Sequence, residues 1–126
     1  MIKIEVVLGV HKVLIKKYGG ANGVRDRRLL ESAIKRPYQT FDGKELYETS
    51  ESKAAAMIES IIKNHPFVDG NKRTGYAMMR LVLMKDEKGI QANQKEKYEF
   101  VIKIASSKID YEEIRDWINE KIEILK

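Results

Sequence analysis

The chain has 126 residues, with 24 Lys and Arg against 19 Asp and Glu, giving a net charge of +5. That length suits a single domain, 1–126, able to bury a core without staples, and 34% charged beside 43% hydrophobic residues is a globular rather than a disordered balance. The absence of cysteine excludes a disulfide scaffold, a Cys zinc site, an iron–sulfur cluster and thiol catalysis.

The periodicity is helical almost throughout. Val7, Val10 and Leu14 share a face of a first helix that ends at Gly19–Gly20, where glycine can take a left-handed conformation. Lys3, Glu5 and Lys12 interrupt this apolar stretch, so it makes neither a signal-peptide core nor a bilayer span, and a cytoplasmic protein with no membrane partner is expected. Asp26 is placed to cap a second helix carrying Leu29, Leu30, Ala33 and Ile34, which Pro37 stops. Asp42–Gly43 is a hairpin turn signal inside Thr40, Phe41, Asp42, Gly43, Lys44, Glu45, Leu46 and Tyr47, which predicts a small two-stranded flap. Such a flap must lean on helices, because an isolated hairpin is marginal in water.

Ala54, Met57, Ile58, Ile61 and Ile62 mark a third helix starting near Ser50 or Ser52. Gly75, Met78, Met79, Val82 and Leu83 repeat the pattern on a fourth that ends before Gly89. Tyr98, Val101, Ile102 and Ala105 predict the apolar face of a fifth. Asp110 with Glu113 three residues on resembles a capping box, and opens a sixth helix carrying Ile114, Trp117, Ile118, Ile122 and Leu125. The expected fold class is all-α, about six helices with one β-hairpin flap, and Met78, Met79 and Trp117 are read as core residues.

Charge is uneven. Residues 1–36 hold nine basic against three acidic residues. That excess either faces an anionic partner or is a solvated helix face.

The chemistry concentrates in His65-Pro-Phe-Val-Asp-Gly-Asn-Lys-Arg-Thr74, between the third and fourth helices. His65 is the imidazole the sequence places there, and imidazole can accept a proton near neutral pH. Asp69 is a hard oxygen ligand suited to magnesium. Gly70 permits close backbone approach. Asn71, Lys72 and Arg73 then open an apolar helix, whose N-terminus offers free amides to an anion. Lys72 and Arg73 add full charges, Arg with a fork that fits phosphate. One short loop therefore supplies a base, a metal carboxylate and a phosphate cradle, the parts that phosphoryl or nucleotidyl transfer needs. The loop lacks the spacing of a Walker A motif. His11 and His65 are far apart in sequence, with no Cys and no His-Glu-x-x-His, which argues against zinc.

His65-Pro-Phe-Val-Asp-Gly-Asn-Lys-Arg73 resembles the signature of the Fic/Doc family, His-x-Phe-x-Asp/Glu-Gly-Asn-x-Arg. Gly19-Gly20, Gly23-Val-Arg-Asp26, Leu29-Leu-Glu-Ser-Ala33, Arg36-Pro37, Gln39-Thr-Phe41, Leu46-Tyr47 and Ile62-Lys-Asn-His65 extend the likeness to the Doc, or death-on-curing, branch over residues 7–89. The resemblance implies an all-helical domain with His65 as the general base toward a target hydroxyl, and Asp69 holding Mg²⁺ on the phosphates of ATP. It implies Gly70, Asn71, Lys72 and Arg73 as phosphate-binding, Phe67 as a core residue pinning the loop, and the flap Thr40–Tyr47 as the segment that aligns the target by strand addition. Adenylylating Fic proteins carry Gly where this chain has Lys72, and a second Arg where it has Tyr76. The Doc pattern, shared here, implies transfer of the ATP γ-phosphoryl group to a protein hydroxyl, with elongation factor Tu as the family target.

No Glu-Gly or Glu-Asn dipeptide occurs, so the family's inhibitory glutamate is missing from this sequence. Restraint is then expected in trans, from a Phd-like antitoxin, and the basic first third, with Arg25, Arg27, Arg28, Lys35 and Arg36, is expected to receive either a segment of that antitoxin or the target. Two other readings compete with a toxin kinase: a Fic-type adenylyltransferase using the same site, and a non-catalytic binding module. A nucleic-acid binder is disfavoured, because no helix is uniformly basic.

Overall fold

The computed structural model describes residues 1–125, and among these it has six α-helices. They are α1 (Ile4–Tyr18), α2 (Arg27–Lys35), α3 (Ser50–Asn64), α4 (Asn71–Met84), α5 (Gln94–Ala105) and α6 (Tyr111–Lys121). The predicted hairpin is present as β1 (Thr40–Phe41) and β2 (Lys44–Glu45), with Thr40 opposite Glu45 and Phe41 opposite Lys44. Its turn residues Asp42 and Gly43 have φ of 53° and 78°. Two positive φ values in succession are what a two-residue hairpin turn of matching twist requires, and Asp-Gly supplies them at low cost.

α3 is the centre of the molecule. Residues 54–62 are buried on every side, as expected of a helix enclosed by others. α2, α4, α5 and α6 all pack on it. Gly75 lets α4 approach α3 closely: a Cβ there would stand 3.0 Å from Ile62 Cγ1. Thr49 and Ser52 form a reciprocal capping box at the start of α3, and Asp110 with Glu113 does so for α6, as its sequence predicts. Asp26 accepts from the Leu29 amide at 3.1 Å and caps α2. Met78 and Met79 are fully buried, and Trp117 lies at the core edge, stacked on Phe100 at 3.7 Å.

Two expectations need correction, and a third holds with a refinement. First, the buried face of α5 is Phe100 and Ile104, whereas Tyr98 is 68% exposed and Ile102 is 36% exposed. This helix has apolar residues on two faces, and Phe100 wins the core because it stacks on Trp117. Second, α6 stops at Lys121, so Ile122 and Leu125 leave the helix. Ile122–Ile124 forms β4, antiparallel to β3 (Lys88–Ile90). The pairing joins segments remote in sequence, and three-residue strands carry no legible period. Gly89 makes room for it: a Cβ there would press on the Leu125 side chain at 3.1 Å. Third, Pro37 ends the α-helix but not the helical path, which continues as a 3₁₀ turn over Arg36–Tyr38. Proline is tolerated in a first turn because its missing N–H has no partner to lose there.

Candidate functional site

The loop His65–Gly70 joins α3 to α4 and is fixed from four directions. His65 ends α3 in the left-handed region, with φ 52° and ψ 53°. That conformation is unfavourable for a non-glycine residue and persists only when its surroundings over-determine it. Arg25 provides part of that constraint, donating from Nε to the His65 carbonyl at 2.7 Å and from NH2 to the Asn64 carbonyl at 2.9 Å. The backbone of residues 23–26 follows the loop. Arg25 and Asp26 amides both donate to the Pro66 carbonyl, and the Val68 amide donates to the Gly23 carbonyl.

From inside, Asn71 closes the loop on itself. Its Nδ2 donates to the Phe67 carbonyl and its Oδ1 accepts from the Phe67 amide, both at 2.9 Å. The third brace is α1. His11 is buried, stacks face to face on Phe67 with ring centroids 3.8 Å apart, and bonds through Nε2 to the Asp69 carbonyl at 2.7 Å. The fourth is the turn after α1. The Ala21 amide donates to Asp69 Oδ2 at 2.7 Å, and Gly20, at φ 110°, packs where a Cβ would stand 3.2 Å from Asp69 Cβ. Gly19–Gly20 thus does more than end a helix.

Above this loop opens a groove of about 890 Å³. One end is made by His65, Asp69 and Gly70 with the first turn of α4, the other by Tyr76, Arg80 and the outer face of α5. The His65 side chain is exposed, and its ring makes no hydrogen bond among the described residues. Asp69 is exposed, with Oδ2 on Ala21 and Oδ1 free of donors among the described residues. Gly70, at φ 80°, is the left-handed N-cap of α4. The amides of Asn71, Lys72 and Arg73 occupy the first turn, where no intrahelical acceptor exists, so they are free donors of the kind that binds anions at helix N-termini.

Each residue singled out from the sequence can now be placed. His65, Asp69, Gly70, Lys72 and Arg73 meet at the groove. Asn71 is there too, but its side chain is 4% exposed and spent on Phe67, so only its backbone amide is available to a phosphate. Phe67 is fully buried. The flap residues Thr40–Leu46 are exposed, Phe41 at 71%, and none of them lines the groove. The flap leans on helices through Lys53 to Glu45 at 3.0 Å and through Tyr47, whose hydroxyl accepts from Arg36 Nε at 2.9 Å. Three of the basic residues offered for a partner are engaged within the chain: Arg25 on the loop, Arg27 on Glu31 at 3.8 Å, and Arg36 on Glu59 at 2.8 Å.

Sequence reasoning missed four groove residues or supports. His65 is not the only imidazole at the loop, since His11 lies beneath it. The signal was available in the spacing Val7, His11, Ile15, the buried stripe of α1. Arg80 and Lys97 line the far end of the groove, and Tyr18 receives the Arg73 guanidinium over its ring at 4.4 Å. Tyr76 is half-buried with its hydroxyl unpartnered, and burial pushes its phenol up to about 12 against the opposing pull of Arg80, so it stays neutral.

Comparisons with known proteins identify the family. Residues 1–83 match the model of the Fic/DOC family. A curated relative named Toxin Doc, from Mycolicibacterium smegmatis (strain ATCC 700084 / mc(2)155), is 47% identical over 60 residues, covering 48% of this chain and 46% of that protein. The chain belongs to the Fic/Doc family and is Doc-like within it. The match spans about half the length of the relative. No helix among the described residues is long and apolar enough to cross a membrane.

Proposed function

We propose that this chain is a Doc-type toxin that transfers the γ-phosphoryl group of ATP to a hydroxyl side chain of a protein, elongation factor Tu being the family's example. The observation that carries this reading is the meeting, at one end of one groove, of an unencumbered imidazole, a half-free carboxylate and a helix N-terminus of free amides. In the reaction the hydroxyl oxygen bonds to the γ-phosphorus, the bond from that phosphorus to the β,γ-bridging oxygen breaks, and ADP leaves. His65 takes the hydroxyl proton. The amides from Gly70 to Arg73, with the Lys72 and Arg73 side chains, hold the phosphates in place. Positioning and charge stabilisation make up most of such catalysis.

The described residues contain no cluster of three or more metal-ligating side chains. Asp69 alone fits a magnesium ion that arrives with its nucleotide, because Mg²⁺ is commonly held by one or two carboxylates plus substrate phosphates. Such an ion would supply charge compensation for the phosphate oxygens.

A second reading is adenylyl transfer at the same His65. One observation favours it: Arg80 stands one turn beyond Tyr76 and lines the same groove, where it could grip a terminal phosphate in place of the family's second arginine. Lys72→Gly tests the choice. If Lys72 sets the orientation of the nucleotide, the variant gains adenylyl transfer at the expense of phosphoryl transfer, whereas an unchanged product removes Lys72 from that role. As a toxin of this branch, the chain would be restrained by an antitoxin in trans. Co-expression with a Phd-like protein, read as rescue of growth, tests that part.

A further inference from the structure

We infer that His11 is a positioning residue of the site: its Nε2–H aims the Gly70 amide into the groove by holding the carbonyl of the preceding peptide. The inference rests on the phosphate-handling reading above and deepens it. It starts from the Asp69–Gly70 peptide. His11 Nε2 lies 2.7 Å from the Asp69 carbonyl oxygen. A carbonyl only accepts, so the ring nitrogen must carry the proton. The peptide bond is trans, as are all among the described residues, and in a trans peptide the C=O and N–H point in opposite directions. Fixing the carbonyl toward α1 therefore turns the Gly70 N–H away from it. That N–H donates to no acceptor among the described residues, and Gly70 lines the groove.

Three further contacts make the ring a rigid anchor. It is 4% exposed, so it cannot swing into solvent. It stacks on Phe67 with an interplanar angle of 6°. It also closes the space around Gly70, where a Cβ would stand 3.5 Å from Nε2 and 3.1 Å from Ile15 Cδ1. An aliphatic residue in the stripe Val7, His11, Ile15 would pack as well but could not hold the carbonyl. Without that bond the Asp69 carbonyl loses the one contact that fixes its direction among the described residues, and the first donor of the anion site loses its aim.

Two substitutions separate the bond from the packing. His11→Phe keeps a flat ring against Phe67 and loses the donor. His11→Gln loses the ring but can place an amide N–H close to where Nε2 stands. The first readout is the ¹⁵N–¹H spectrum during titration with magnesium pyrophosphate, following the Gly70 and Asn71 amides. The second is the rate of γ-phosphoryl transfer at saturating ATP. A misplaced group can cost on the order of a hundredfold in rate, so His11→Phe is expected to lower transfer by about 10- to 100-fold and to abolish the Gly70 shift, with a dispersed spectrum retained. His11→Gln is expected to recover most of both.

If both variants keep the shift and the rate of the wild type, the inference is overturned while the phosphate reading stands. It is equally overturned if both lose them alike, since the ring and not the bond would then matter. A wild-type protein that neither responds to pyrophosphate nor transfers phosphate overturns the phosphate reading and this inference with it. The tautomer of His11 in the wild type gives a check that needs no variant to fold. Long-range ¹H–¹⁵N correlation must find the proton on Nε2, and a bare Nε2 sinks the proposal.

Discussion

The loop His65–Gly70 and the hairpin flap Thr40–Leu46 both connect to α3, one leading from it and one into it, yet they are built on opposite terms. The loop is held by side chains from α1, the 20–26 turn and α4, and its central Phe67 is fully buried. The flap has two strands of two residues each, every residue from 40 to 46 exposed, and its ties to the body at Lys53 and Tyr47. Under the proposed function, the contrast follows from where precision is needed. Groups that address phosphate must stay within a fraction of an ångström. A segment that takes up a target backbone gains from open edges and tolerates adjustment.

The comparison can be broken first at the loop. His65→Ala is expected to lower transfer by about 10²- to 10⁴-fold, the usual range for a general base, while nucleotide affinity measured by calorimetry changes little. Asn71→Ala should act on stability as well as activity. It strands the buried N–H and C=O of Phe67, and unmet buried groups cost about 1–3 kcal/mol each, so the thermal midpoint should fall by several degrees and nucleotide binding with it. An unchanged melt would mean that the loop is not closed through this side chain. Arg25→Met removes two donors from the end of α3, and hydrogen bonds from charged groups contribute about 1.5–3 kcal/mol where sheltered. Arg25 is exposed, so the loss is expected at or below the lower end of that range.

At the flap the same measurements should diverge. Phe41→Ala removes an exposed ring and should shift stability by no more than about 0.5 kcal/mol, yet raise the KM for the protein target. A KM left unchanged would take Phe41 out of target binding. The smallest effect belongs to the root of the flap, where α3 begins. Burial works to raise the Glu51 carboxyl, but hydrogen bonds, chiefly from Lys88 at 3.0 Å, outweigh it and hold the group below its ordinary value. A carboxyl lowered in the folded state stabilises above its unfolded value, and that contribution disappears as pH falls through the folded one. The melting difference between wild type and Glu51→Gln should therefore be present at neutral pH and vanish in acid.

Much of this was legible in the sequence because it is local. Helix periodicity, the Asp26 and Asp110 caps, the Asp42–Gly43 turn and the run from His65 to Thr74 each lie within a dozen residues. What was not legible depends on segments far apart. His11 reaches Asp69 across 58 positions and Arg25 reaches His65 across 40. The β3–β4 pair and the choice of Phe100 over Tyr98 for the core were settled by tertiary partners, Leu125 and Trp117, that no local pattern announces. The Asn71 side chain is a like case, its backbone amide remaining free toward the groove. Beside Lys72 and Arg73 it reads as a phosphate ligand, and only the fold shows its side-chain amide turned inward on Phe67.

In the proposed function the braced loop presents phosphate to His65 in the orientation for γ-phosphoryl transfer. The most direct test incubates the protein with Mg²⁺ and elongation factor Tu, with ATP labelled at the γ-phosphate in one tube and at the α-phosphate in the other. Label on the protein target from the γ-phosphate alone, absent with His65→Ala, is the predicted result. Label from the α-phosphate, or γ-label undiminished in His65→Ala, would contradict it.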